Sequence, residues 1–88
     1  MELKIASRQR QDSTGALHTV HYYLTIDYIS SGSFCCENYG VRISEDSGET
    51  AVFPSITVSA LRMDELMSLL VENRIGPSAL SDVVVDWL

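Results

Sequence analysis

The sequence predicts an α+β fold, an antiparallel β-meander of three to four strands followed by two C-terminal helices packed on one face of the sheet. Three observations predict it. Apolar and polar residues alternate through the first half of the chain, the period of a half-buried strand. Short stretches rich in Gly, Ser and Asp interrupt that alternation, as turns between strands do. From Ser59 onward the apolar spacing changes from two residues to 3.6, the period of a helix.

The first strand is expected over about residues 2–9, where Leu3 and Ile5 share a face, and "QDSTG" supplies turn chemistry after it. The second, about 18–29, is the clearest element. In "HTVHYYLTIDYI" one parity carries Val20, Tyr22, Leu24, Ile26 and Tyr28, and the other Thr19, His21, Tyr23, Thr25 and Asp27. The third, about 34–44, places Tyr39, Val41 and Ile43 on one parity and Phe34 and Cys36 on the other. A bulge near Asn38 is expected to reconcile the two sets. "EDSGE" then reads as a hairpin turn with Gly48 free to take positive φ, and a fourth strand, about 50–53, is expected to stop at Pro54.

The first helix, about 60–74, has Met63, Leu66, Met67 and Leu70 on one stripe, with Ser59 as its N-cap and Gly76 just past its end. The second, about 78–87, contains the β-branched run Val83, Val84 and Val85, which favours a strand. However, Leu80, Val83, Val84, Trp87 and Leu88 recur at helical spacing, and Pro77 and Ser78 suit a helix start. Propensity costs a few tenths of a kcal/mol per β-branched residue, whereas burying Leu80 and Trp87 is worth roughly 1.5–3 kcal/mol each. Packing wins, and a helix is expected. The expected core is Val20, Tyr22, Leu24, Ile26, Val41, Ile43, Leu66, Leu70, Leu80, Val84 and Trp87.

Eighty-eight residues with 45% hydrophobic and 20% charged side chains suit one ordinary globular domain with a small core. No apolar run reaches the roughly 20 residues of a membrane span, and "MELKIASRQR" lacks the apolar stretch of a secretory signal. The expected address is the cytoplasm. The net charge is −6. In residues 45–88, Arg62 and Arg74 stand against Glu45, Asp46, Glu49, Asp64, Glu65, Glu72, Asp82 and Asp86. Such a surface repels phosphate backbones, and the last helix has no Lys, Arg, Asn or Gln to read a base, so nucleic acid is not an expected partner.

The residues offer little chemistry. His18 and His21, three apart in a strand, face opposite sides and cannot chelate one ion together. Adjacent Cys35 and Cys36 cannot bridge within an extended strand; one is expected in the core and one near the surface. Serines are frequent but none sits in a G-x-S-x-G elbow, and the glycines have no phosphate-cradling spacing. No catalytic residue, metal ligand or cofactor is expected, and the protein is not expected to be an enzyme. His21 and Tyr23 on the helix-free face, and Val85 off the core stripe, are the candidate interaction surface.

"YYLTIDYI", "ENYGVRI" and "LLVENRIGPSALSDVVVDWL" together resemble a family of short uncharacterised proteins from Gram-positive bacteria, a domain of unknown function. The resemblance runs from about Tyr22 to Leu88. It implies a small cytosolic bacterial protein and carries no activity, cofactor or site residue. The function expected is a non-catalytic protein-interaction or regulatory module, with an unidentified protein partner or a homodimer formed through the helix-free face. The alternative is a small-ligand or metal-binding domain using the Tyr23, His21 and Cys35 side of the sheet.

Overall fold

The computed structural model describes the backbone of residues 1–88 and every side chain except those of Ser31, Phe34 and Cys35. Four strands, β1 (Glu2–Gln11), β2 (Leu17–Ser31), β3 (Phe34–Glu45) and β4 (Thr50–Thr57), pair antiparallel in the order β1-β2-β3-β4. Two helices follow, α1 (Ala60–Glu72) and α2 (Leu80–Trp87), the second entered through a 3-10 turn over Pro77–Ala79. The meander with two C-terminal helices is the fold that the change of period predicts. No helix among the described residues is long and apolar enough to cross a membrane.

Each hairpin turn follows from its residues. Asp12 Oδ1 accepts from the backbone N–H groups of Thr14 (2.8 Å) and Ala16 (3.0 Å), which folds the β1–β2 connection around the carboxylate. In the β3–β4 turn Gly48 takes φ 104° and donates to Glu45 O at 2.9 Å.

The helices lie on one face, with α1 against β1, β3 and β4 and α2 against β4. Val20, Tyr22, Val41 and Ile43 from the sheet meet Met63, Leu66, Leu70, Leu80 and Val84 in a single buried cluster. The Tyr22 hydroxyl, inside that cluster, donates to Ile75 O at 2.9 Å and so carries no unmet donor into the core. Leu24 and Trp87 are only partly buried at its margin. Trp87 does not fill the core: its ring packs at the edge with the Arg62 guanidinium 4.4 Å from its centroid.

Several local expectations need correction. The bulge near Asn38 is absent from the β2–β3 ladder, which runs in unbroken register from Val20↔Glu45 to Ile29↔Cys36. Cys36 is exposed and unpaired, while the Phe34 and Cys35 side chains lie outside the described residues. The irregularity sits instead in β4, which does not stop at Pro54. Tyr39 pairs with Thr57 and Val41 with Phe53, so Pro54–Ile56 arch out opposite Gly40, with Ser55 at φ 57°. Pro is tolerated there because a bulge needs no ladder donor from it.

Gly76 does not end α1. The helix closes in a Schellman motif with Arg74 at φ 49°, Ile75 N bonding Leu70 O (3.0 Å) and Arg74 N bonding Val71 O (3.2 Å). Gly76 instead lies beneath the Arg10 side chain, whose guanidinium carbon would sit 2.8 Å from a Cβ at this position and could move aside. Ser78 caps nothing, because the 3-10 turn precedes α2 and Ala79 occupies the cap position without a side-chain bond.

The molecule measures 53 × 23 × 17 Å. Fifteen residues of β2 extend roughly 50 Å, whereas the 13 residues of α1 reach roughly 20 Å. The helices therefore cover only part of their face. Tyr28 has the core parity yet is 61% exposed, because the β2–β3 hairpin runs on beyond the helices.

Candidate functional site

Where the helical cover ends, an apolar cleft of about 290 Å³ opens between α1 and the sheet. Leu24 and Ile26 of β2, Tyr39 of β3 and Ile5 of β1 form its floor and one wall, and Met63 and Met67 of α1 form the other. Ile5 reaches the cleft through a second irregularity. The β1–β2 register shifts between Lys4 and Ala6, so an extra residue fits into β1, and Ile5 is left 47% exposed. Glu37 and Asp64 stand at the rim. The Tyr39 hydroxyl donates to Glu37 Oε2 at 2.5 Å, which fixes the rim carboxylate and raises the Tyr39 value above its ordinary 10.0. Leu3, Tyr28 and Leu61 are further exposed apolar side chains of β1, β2 and α1.

The helix-free face is different in kind. Tyr23 pairs with Arg42, whose guanidinium stacks 4.0 Å from the ring centroid and makes two bonds to Glu2, Nε to Oε2 at 2.8 Å and Nη2 to Oε1 at 2.7 Å. That bidentate pair holds the Glu2 carboxyl below its ordinary value. His21 pairs across the sheet with Ser7, whose Oγ lies 2.9 Å from Nδ1. A Ser–His contact is the first element of nucleophilic catalysis, but this one stands on an open sheet rather than in a cavity. His21 and Tyr23 therefore face the side expected, each already engaged by a neighbouring strand, on a surface dominated by polar groups. Val85 is 62% exposed on α2 and belongs to neither surface.

A polar cluster occupies the helix-covered side at the end of the sheet that carries the two turns. His18 Nε2 lies 2.7 Å from Asp12 Oδ2, and its Nδ1 faces Asp46 Oδ1 at 3.4 Å and Glu45 Oε1 at 3.6 Å. The Asp12 bond, then Asp46 and the nearby charges, raise the His18 value above its ordinary 6.5 despite desolvation. Asp12 is held far below the usual carboxylate range by Thr14 first and His18 second. Asp46 is lowered chiefly by the Thr19 backbone N–H. Only His18 among these residues is weighed as a metal ligand in the sequence; Glu45 and Asp46 count there only as acidic surface and Asp12 only as turn chemistry. The others were hidden because strand register, not sequence spacing, brings residues 27 and 28 positions away beside it.

A comparison with protein families matches residues 1–88 to the Family of unknown function (DUF6514). The chain belongs to that family. The match spans the whole chain, including β1 and the first turn, which the quoted resemblance did not reach. No curated protein and no solved structure matches the chain. The family assigns no role to the cleft, the helix-free face or the polar cluster, so their functions rest on physical chemistry alone.

Proposed function

We propose that this DUF6514 protein is a non-catalytic interaction module whose docking surface is the apolar cleft beside α1, and that its partner presents an apolar segment flanked by basic residues. The observation that carries the reading is the composition of the cleft: Ile5, Leu24, Ile26, Tyr39, Met63 and Met67 beneath a rim of Glu37 and Asp64. An apolar floor with a charged rim is the anatomy of a protein interface. Ile5 is 47% exposed at its mouth, while Met63 and Met67, 2% and 5% exposed, line its depth with flexible side chains. The cleft is small and open beside ligand pockets of roughly 300–1,000 Å³ that enclose most of a small molecule, which favours a protein segment as occupant.

Charge selects the partner. At −6, a second copy of the chain would meet like charge at the rim, whereas basic flanking residues would be attracted. Homodimerisation through the helix-free face has less support, because that face offers Glu2, Arg42, His21 and Ser7 rather than an apolar patch. A cytoplasmic, Gram-positive bacterial setting, as the resemblance implies, belongs to the same proposal, as does the exclusion of nucleic acid and membrane by the acidic surface.

The test is differential capture in the native host. Wild-type protein should retain a specific partner that Ile5→Glu loses and Val85→Glu keeps, with both variants folded by circular dichroism. Loss with Val85→Glu and retention with Ile5→Glu would place the interface elsewhere. Retention of only a second copy of the chain would replace the proposal by self-association.

A further inference from the structure

We propose that His18, Glu45 and Asp46 form a binding site for one divalent transition-metal ion of the zinc class, with Asp12 positioning the histidine. Three strands and two turns converge here. His18 comes from the start of β2, Glu45 from the end of β3, and Asp46 from the turn that follows. One ligand atom from each lies within 4.8 Å of the others.

The distances from the histidine leave room for a shared ion. His18 Nδ1 sits between two carboxylate oxygens at 3.4 and 3.6 Å, the first a long hydrogen bond and the second none. A tetrahedral ion with legs of about 2.0–2.1 Å has edges of about 3.3–3.4 Å, close to both separations. Glu45 supplies the second, independent observation. Its side chain is 4% exposed, yet its Oε2 accepts no hydrogen bond among the described residues. Oε2 faces only Arg10 Nε, in ion-pair contact at 3.5 Å, which leaves Oε1 directed at His18. Arg10 meets this buried charge on the Oε2 side only, and an ion on the Oε1 side would supply a second partner.

The surrounding bonds pre-set the ligand atoms. Asp12 Oδ1 is taken by Thr14 and Ala16, so its Oδ2 accepts from His18 Nε2. With the proton held on Nε2, the Nδ1 lone pair faces the two carboxylates, the carboxylate–histidine–metal arrangement of zinc sites. Asp46 Oδ2 is likewise taken by Thr19 N at 3.1 Å, which leaves Oδ1 to ligate. With His18 neutral, the charges of Asp12, Glu45 and Asp46 less that of Arg10 sum to −2, which a divalent ion cancels. The nitrogen ligand favours zinc-class ions over magnesium or calcium, which take oxygen sets. Three protein ligands leave the fourth position for water.

The experiment titrates Zn²⁺ into chelator-stripped full-length protein by calorimetry, with Co²⁺ absorption as a coordination readout. One ion should bind per chain and raise the melting temperature. His18→Gln and Asp46→Asn should each weaken binding at least about tenfold, and Asp12→Asn by roughly 10–100-fold, while His21→Gln binds as wild type. Circular dichroism on the metal-free variants separates loss of the site from loss of the fold. Imidazole ¹⁵N spectra of the zinc form should place ligation at His18 Nδ1, and Asp12→Asn should mix the two ring tautomers. No uptake at several equivalents of Zn²⁺, or uptake unchanged by His18→Gln, would overturn the proposal and leave the cluster as a protonated histidine among carboxylates.

Discussion

Replacing Gly40 by Ala tests the least expected part of the fold. A Cβ at this position would lie 2.6 Å from Thr25 Oγ1, 2.7 Å from Phe53 O and 2.8 Å from Pro54 Cα. Ordinary contacts of this kind fall at about 3.4 Å or more, so the shortfall is roughly 0.6–0.8 Å. Thr25 can rotate its hydroxyl away, but Phe53 O and Pro54 Cα belong to the backbone of the arch and cannot. Overpacking of this kind costs typically about 1–3 kcal/mol, and the rigid partners argue for the upper part of that range. The smaller unfolded-state entropy of Ala returns about 0.4–1 kcal/mol. The net loss is about 2 kcal/mol, which for a domain of this size lowers the melting temperature by roughly 10–15 °C. Urea unfolding followed by circular dichroism measures it, with Ser44→Ala in the same strand as a control expected within about 0.5 kcal/mol of wild type. Unchanged or increased stability of Gly40→Ala would show that the Pro54–Ile56 arch does not close over Gly40.

Trp87→Ala should cost about 2 kcal/mol, less than the roughly 3–5 kcal/mol of a fully buried tryptophan, and native fluorescence should show a partly shielded ring; a fully buried emission spectrum would contradict its place at the edge. Arg74→Gly should stabilise by about 1 kcal/mol through relief of the left-handed backbone at φ 49°, and a drop in melting temperature would refute the Schellman geometry. Glu2 has its folded value lowered below the ordinary 4.5 by Arg42, so the pair's contribution is complete above that value and is lost as pH falls through the folded one. Melting across the acid range should show the difference between wild type and Glu2→Gln shrinking below about pH 4.5, and a constant difference would sink this account.

What could be read from the sequence was what depends on one element's own periodicity. Val20, Tyr22 and Ile26 announce β2 because one face of a sheet must be buried, and Met63, Leu66 and Leu70 announce α1 for the same reason on a helix. Leu80 and Val84 are buried on one helical face although Val84 belongs to a β-branched run, as the balance of packing over propensity requires. The arch at Pro54 was hidden because its geometry is set by Gly40 on another strand. Arg74 in place of glycine was hidden because hydrogen bonds and the Leu70–Ile75 pairing, not residue type alone, close the helix. The cleft was invisible because it exists only through the mismatch in length between sheet and helices. His21 and Tyr23 were placed on the right face by parity, but parity says nothing of Arg42 and Ser7 engaging them.

The measurement that bears most directly on the central claim is site-specific photo-crosslinking in the native host, with the probe at Ile5 in the cleft and, separately, at Val52 on the helix-free face. The proposed docking surface predicts a discrete crosslinked product from Ile5, mapped to an apolar segment with basic neighbours in another protein, and none from Val52. A product from Val52 alone, or crosslinks from Ile5 only to a second copy of this chain, would contradict it.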